Sequence, residues 1–441
     1  MATIVPICGV RYNTAQVGQM ADLVTPPYDV INEQEQQRYY EKNPYNVIRL
    51  EYGETRINDS AEDNRYTRAA GFFKQWLQQN ILQHEEKPAV FLYEQEFNTK
   101  GKSLTRTGLI SGVKLEEYEK GIILPHEETL PQAKADRLQL LRHCRANFSP
   151  VFSVYDDPAF TVENIAATYK KNKPLVTFSG ENDEVHRLWV INDQQALTKM
   201  QEFFSNQSIY IADGHHRYET ALHFQREMRA QGDERFGFCL MALVNLHDPG
   251  LVIFPTHRLV KGLPQLVQDT LLTQLSRSFI VKTIDFPRTQ RQSLLAAELT
   301  KLAALLPTYN AILLYLGGEK LYQLTLKRDS NNATLVKRYG DYSAAWRSLD
   351  VTVLHTLILE ELLGIDSAAR AQGTQLQYTR DATEALNLVD HGTYQAAFLL
   401  NPTPVQEVTA VATAGDKMPQ KTTYFYPKLP TGLVINDFSV E

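Results

Sequence analysis

IYIADGHHRYETAL, residues 209–222, contains the change of hydrophobic period on which the reading of this chain turns. IYIA is short and apolar, the pattern of a buried strand. Asp213–Gly214 then forms a tight turn, since glycine tolerates positive φ and close backbone approach. Beyond the turn, Tyr218, Ala221 and Leu222 recur at the spacing of one helix face, and the pattern predicts a helix running to about Arg229. His215, His216 and Arg217 fall in its first turn. Backbone N–H groups there lack intrahelical partners, and the positive end of the helix dipole favours an anion. Cations in that position oppose the dipole, so a bound anion would relieve the conflict. The plainer alternative makes Asp213 a helix cap with His and Arg in surface ion pairs. Four polar, reactive side chains at one strand-to-helix turn favour a phosphate cradle. Asp213 with one histidine also forms a candidate divalent-metal pair. Neighbouring helical residues splay apart, however, so His215 and His216 do not easily share one ligand sphere.

Outward from this segment the chain alternates in character. A proline turn at residues 25–31 (TPPYDVI) is followed by a helix capped by Asn32, with Glu35 in capping-box spacing. The alternation of NVIRLEY (46–52) predicts a strand. Residues 59–80 carry apolar positions at helical spacing, and 89–97 and 105–115 read as paired strands turning at Lys100–Gly101. Strands are expected at 151–155, 175–178, 188–191, 208–212, 238–245 and 251–254, with a helix at 196–204. After residue 263, helices (265–276, 291–306, 351–363) alternate with strands (311–316, 321–326, 394–400). The fold class is therefore α/β, of mixed α+β type. With 441 residues, several domains are expected, set at 1–115, 116–262 and 263–441.

Composition narrows the function. The chain is 43% hydrophobic and 22% charged, with a net charge of -6, so no basic stripe points to nucleic acid as a partner. Three cysteines, Cys8, Cys144 and Cys239, give neither a disulfide framework nor a CxxC pair, and each reads as a buried thiol. Neither a leader peptide nor a run long enough to span a bilayer is evident, and a cytoplasmic location is expected. GxxxxGK[ST], GxSxG and HExxH motifs are lacking.

Further polar clusters are candidate substrate contacts. His126, Glu127, Lys134 and Arg137 lie in one dense block, with Lys134 and Arg137 three apart on one helical face. His257 and Arg258 repeat the His-Arg chemistry after another strand. Asp29 offers a carboxylate or closes an Asx-turn. Lys417, Lys421 and Lys428 would face an anionic ligand or another subunit, which leaves a homo-oligomer open.

The DGHHR run, after a strand and opening a helix, resembles the phosphate-binding motif of the ParB/sulfiredoxin superfamily, and is nearest to its free-serine kinases. The resemblance implies a ParB/sulfiredoxin-like strand-turn-helix core that holds ADP or ATP with Mg²⁺. It implies phosphate contacts from Gly214, His215 and Arg217, and an acid–base or magnesium-positioning role for Asp213 together with His216. PPYDVI, HEETLPQAKADRLQLLR, ADGHHRYETAL, DPGLVIFPTHR and MPQKTTYFYPKLPTGL, in this order, also resemble a bacterial family of full-length proteins of unknown function. The function expected is a nucleotide-dependent phosphotransferase for a small molecule such as serine or phosphoserine. The alternatives are a ParB-like nucleotide-binding regulator without turnover, and a metal-dependent hydrolase using Asp213 and His216.

Overall fold

The computed structural model describes residues 1–99, 101–129, 131–263, 267–306, 308–327 and 331–439, apart from the side chains of 331–334 and 371. Lys100 of the expected hairpin turn and residues 265–266 of an expected helix lie outside these. The chain is of mixed α/β type and divides into two compact units. The first comprises Met1–Pro125, Thr129–Val252 and Phe425–Glu441; the second comprises His126–Glu128 and Ile253–Tyr424. Two units thus stand where three consecutive regions were expected. The boundary near 115 falls inside the first unit, because the strand ending at Lys114 is hydrogen-bonded to Phe238–Asn245, far along the chain.

In the first unit, the described residues form a nine-stranded sheet. Its strands are β1 (Ile4–Val5), β2 (Val90–Thr99), β3 (Lys102–Lys114), β4 (Ile123–Leu124), β5 (Val151–Tyr155), β6 (Val176–Ser179), β7 (Val185–Ile191), β8 (Ile209–Asp213) and β9 (Phe238–Asn245). The order is β4-β8-β5-β9-β3-β2-β7-β6, with β1 pairing β3. β8 lies parallel to β4 and antiparallel to β5, while β9 is parallel to β5 and antiparallel to β3. Every position of β9 beyond Phe238 is buried, as its unbroken apolar run predicts.

The helices of this unit follow their sequence signals closely. α1 (Glu33–Lys42) starts at a capping box in which Asn32 and Glu35 bond reciprocally. α2 (Arg65–Gln78) starts at a second box, formed by Asn64 and Thr67, and buries Ala69, Phe73 and Trp76. α3 (Pro131–Cys144), α4 (Gln194–Phe204) and α5 (His215–Arg229) complete the set used below. Tyr218, Ala221 and Leu222 of α5 pack into the same buried cluster as Ile209, Ile211, Met241 and Leu243. Each large apolar side chain sequestered in this way contributes about 1.5–3 kcal/mol, which fixes the face α5 presents.

One element of this unit departs from expectation in type. Residues 46–52 do not form a strand; Ile48–Glu51 is a turn of helix. Asn46 decides this locally: its side chain accepts from Ile48 N at 2.9 Å and donates to Asp22 O at 2.7 Å. An Asx contact of this kind nucleates a turn, and Val47, Ile48 and Leu50 are all fully buried regardless of period.

In the second unit the described residues form a six-stranded sheet of β10 (His257–Val260), β11 (Phe279–Asp285), β12 (Ala311–Tyr315), β13 (Lys320–Leu326), β14 (Leu376–Thr379) and β15 (Ala396–Leu399). The order is β11-β13-β12-β15-β10-β14. Alternate residues of β10 serve opposite faces, Val260 in one apolar cluster and Leu259 in the other. The helix expected at 351–363 is a short α-turn, Asp350–Val353, running into a π-helix, Leu354–Glu360.

Candidate functional site

The turn between β8 and α5 has the geometry its glycine demands. Gly214 is the N-cap of α5 with φ +94° and, having no side chain, supplies no capping bond of its own. A register shift between Ile211 and Asp213 breaks the ladder just before the turn. A Cβ on Gly214 would lie 2.8 Å from Arg217 Nη2, so glycine is required both for the dihedral and for the close approach of Arg217.

Arg217 folds back over the turn. Its Nη2 donates to Asp213 Oδ2 at 3.1 Å, and its Nη1 to Pro150 O at 2.7 Å. The other oxygen of Asp213, Oδ1, accepts from Lys428 Nζ at 2.6 Å. Burial pushes the Asp213 pKa up, but Lys428 and Arg217 more than offset it and hold the carboxyl well below the usual range. Such a carboxylate is a weak proton acceptor at neutral pH, because general-base catalysis favours a pKa near the working pH. Of the two roles implied for Asp213, acid–base work is therefore ill matched. Magnesium is no better served, since an ion on Asp213 would have to displace an ammonium or a guanidinium. Among the described residues no group of three or more His, Cys, Asp or Glu side chains is arranged to hold a metal.

The two histidines part company as helical geometry requires. His215 is 3% exposed and turns inward, whereas His216 is only partly buried. Burial lowers the His216 pKa; Asp29 and Glu219 act to raise it, and Lys134 and Arg217 lower it again. Its imidazole is accordingly neutral at pH 7, the form that accepts a proton. Lys134 Nζ donates to Glu219 Oε2 at 3.0 Å, so the proline turn, α3 and α5 all contribute charge around His216.

A small pocket of about 40 Å³, open to solvent, lies beside Arg217 and is lined by Glu51, Arg137, Asn147, Ser149 and Thr220 among others. Arg137 sits 3.9 Å from the centroid of the Tyr28 ring and donates to Glu51 O at 2.9 Å. Glu51 Oε1 accepts from Ser149 Oγ at 2.9 Å. Cys239 also lines the pocket, with burial pushing its thiol up to about 12, so it stays protonated.

The structure thus brings Asp213, Gly214, His216, Arg217, Lys134 and Arg137 into one region of the first unit. Arg217 is engaged by Asp213 and Pro150, rather than standing clear for a phosphate as the sequence led us to expect. His126 and Glu127 belong to the second unit, where His126 Nε2 lies 3.1 Å from Thr423 Oγ1 and its carbonyl accepts from Met418 N. His257 and Arg258 also belong to that unit, on β10. Sequence reading missed Glu51, which it placed on a strand. It grouped Lys428 with two other lysines without linking it to Asp213, because nothing local connects positions 213 and 428.

Among the described residues no helix is long and apolar enough to cross a membrane. No curated protein matches the chain. Solved structures similar to it include a conserved hypothetical protein from Pyrococcus furiosus, 14% identical, covering 70% of this chain and 90% of that one with a TM-score of 0.32. A free serine kinase in complex with AMP is 12% identical, covering 71% of this chain and 89% of its own with a TM-score of 0.33. SbnI with C-terminal truncation from Staphylococcus aureus is 12% identical, with 73% and 85% covered and a TM-score of 0.33. Residues 4–352 match the family model described as a protein of unknown function, DUF1015, and the chain belongs to that family.

Proposed function

We propose that this protein is a nucleotide-dependent small-molecule phosphotransferase that works with ADP or ATP and a hydroxyl compound of the serine or phosphoserine type. The observation that carries the reading is the charge at the start of α5. A helix of 15 residues begins there at a glycine, and two cations, Arg217 and Lys428, are ion-paired with one ionised carboxylate, Asp213. The excess positive charge adds to the helix dipole and suits a phosphate.

Phosphoryl transfer needs positioned charge and a base near the hydroxyl more than covalent help. In this reading the turn seats the phosphate, and neutral His216 takes the proton of the attacking hydroxyl. Asp213 fixes Arg217 and Lys428 without moving a proton itself. Arg137 and Lys134 supply further charge at the rim.

The test is direct. The full chain, incubated with serine and ATP or with phosphoserine and ADP, is followed by phosphorus NMR; transfer in either direction is expected. Arg217→Ala should weaken nucleotide binding by about 1.5–3 kcal/mol, the range for a hydrogen bond to a charged group. Unchanged affinity in that variant, measured by calorimetry, would remove the cradle.

A further inference from the structure

The family match ends at residue 352, yet one of the two cations on Asp213 comes from residue 428. Phe425–Glu441 is part of the first unit, and two buried side chains of the central strands grip its backbone. Arg106, on β3, donates through Nη2 to Pro427 O at 2.7 Å. Gln95, on β2, donates to Lys428 O at 3.1 Å and to Glu184 Oε2 at 2.7 Å, while its own oxygen accepts from Arg106. Gln95 is 0% and Arg106 1% exposed. The Arg106 guanidinium also stacks 4.8 Å from the centroid of the Phe152 ring. A buried network of this kind is directional, so it fixes where the carbonyls of 427 and 428 lie and where the Lys428 side chain sets out from. That side chain, 14% exposed, ends on Asp213 Oδ1 at 2.6 Å.

We propose that Lys428 is a positioning residue of the phosphate site and adds a full positive charge to it, delivered by the C-terminal segment of the first unit. Two consequences follow from its contact. Lys428 keeps Asp213 ionised, so that Arg217 stays folded over Gly214. It also adds a full positive charge beside the Asp213–Arg217 pair, in the same sense as the partial charge of the helix N-terminus, roughly half a unit. The ligand is the di- or triphosphate of a nucleotide. The anion half of this proposal rests on the function proposed above.

The experiment uses the full chain as wild type, Lys428→Met and Lys428→Arg, with ADP as the probe in calorimetry. Lys428→Met should lose about tenfold or more in ADP affinity, the scale of one charged contact, while Lys428→Arg stays within about threefold. Acid unfolding without ligand gives the second readout. The folded-state pKa of Asp213 lies below the value of 3.8 it has when free, so its contribution is present above that value and lost as pH falls through the folded pKa of about 2. Without Lys428 the effect of burial is no longer fully offset, the folded pKa rises, and the acid transition should move to higher pH. If wild type does not bind ADP, the proposed function and the anion half fall together. If wild type binds and Lys428→Met binds equally well, the charge role alone falls. An acid transition that stays in place in Lys428→Met overturns the positioning role, and Lys428→Arg separates loss of charge from loss of fold.

Discussion

Two of the chain's three His-Arg pairs, His216-Arg217 and His257-Arg258, reach opposite conditions. Arg217 stands in the first turn of a helix, its side chain 12% exposed, with a carboxylate at 3.1 Å and a small open pocket beside it. Arg258 stands inside β10 with 0% exposure. It donates to the carbonyls of Thr256 and Lys421 and lies 5.5 Å from the centroid of the Tyr378 ring. Burial lowers the Arg258 pKa to about 10, with Tyr378 raising it and Arg370 lowering it, and the group still remains charged at pH 7. One arginine is placed where charge can be shared with a ligand; the other serves to satisfy backbone carbonyls in an apolar layer. The residue pair therefore says little about role, and the element that carries it says nearly everything.

Three changes would break or sharpen that contrast. The largest effect is expected from Arg258→Leu, which leaves the buried carbonyl of Thr256 without this donor and removes the bond to the carbonyl of Lys421, and it should cost about 2–4 kcal/mol of stability in denaturant unfolding. A loss below about 0.5 kcal/mol would show that Arg258 is not a core residue at all.

Gly214→Ala comes next. Forcing an L-residue to φ +94° costs about 1–2 kcal/mol, and the new Cβ collides with Arg217. We expect nucleotide affinity to fall along with stability, because the guanidinium must leave Asp213. Full affinity in this variant would mean that Arg217 need not lie over the turn.

The smallest effect concerns the histidines. Burial and Arg258 lower His257 to about 4, whereas at His216 the carboxylates Asp29 and Glu219 work against the effect of burial. In histidine-resolved NMR from pH 7.5 downward, His216 should titrate before His257, and transfer activity should fall on the acid side together with the His216 signal. Reversal of that order would remove His216 as the base.

Much of the architecture was legible. The strand, turn and helix of 209–229 emerged within one residue of the expected bounds, with Asp213 ending the strand instead of opening the turn, because the period changes sharply there and glycine marks the junction. α1 began at the predicted capping box, since its signal spans only four residues. Residues 46–52 misled because Val47, Ile48 and Leu50 are buried on all sides, so their alternation carried no information about period, while Asn46 governed the turn. The core of the candidate site was visible as DGHHR, but Glu51 and Lys428 were not, as their relation to it is made by packing across long stretches of chain.

By itself, the sequence determined the local chemistry: a strand that ends in Asp-Gly, a helix that opens with His-His-Arg, and the face that this helix must bury. Those are short-range consequences of steric freedom and hydrophobic spacing. Only the tertiary structure decided which charges meet. It turned Arg217 back onto Asp213, brought Lys428 to the other oxygen, and sent His257-Arg258 into a core. Ion pairing depends on distance in space, and residues 213 and 428 become neighbours only once the sheet has ordered the chain between them.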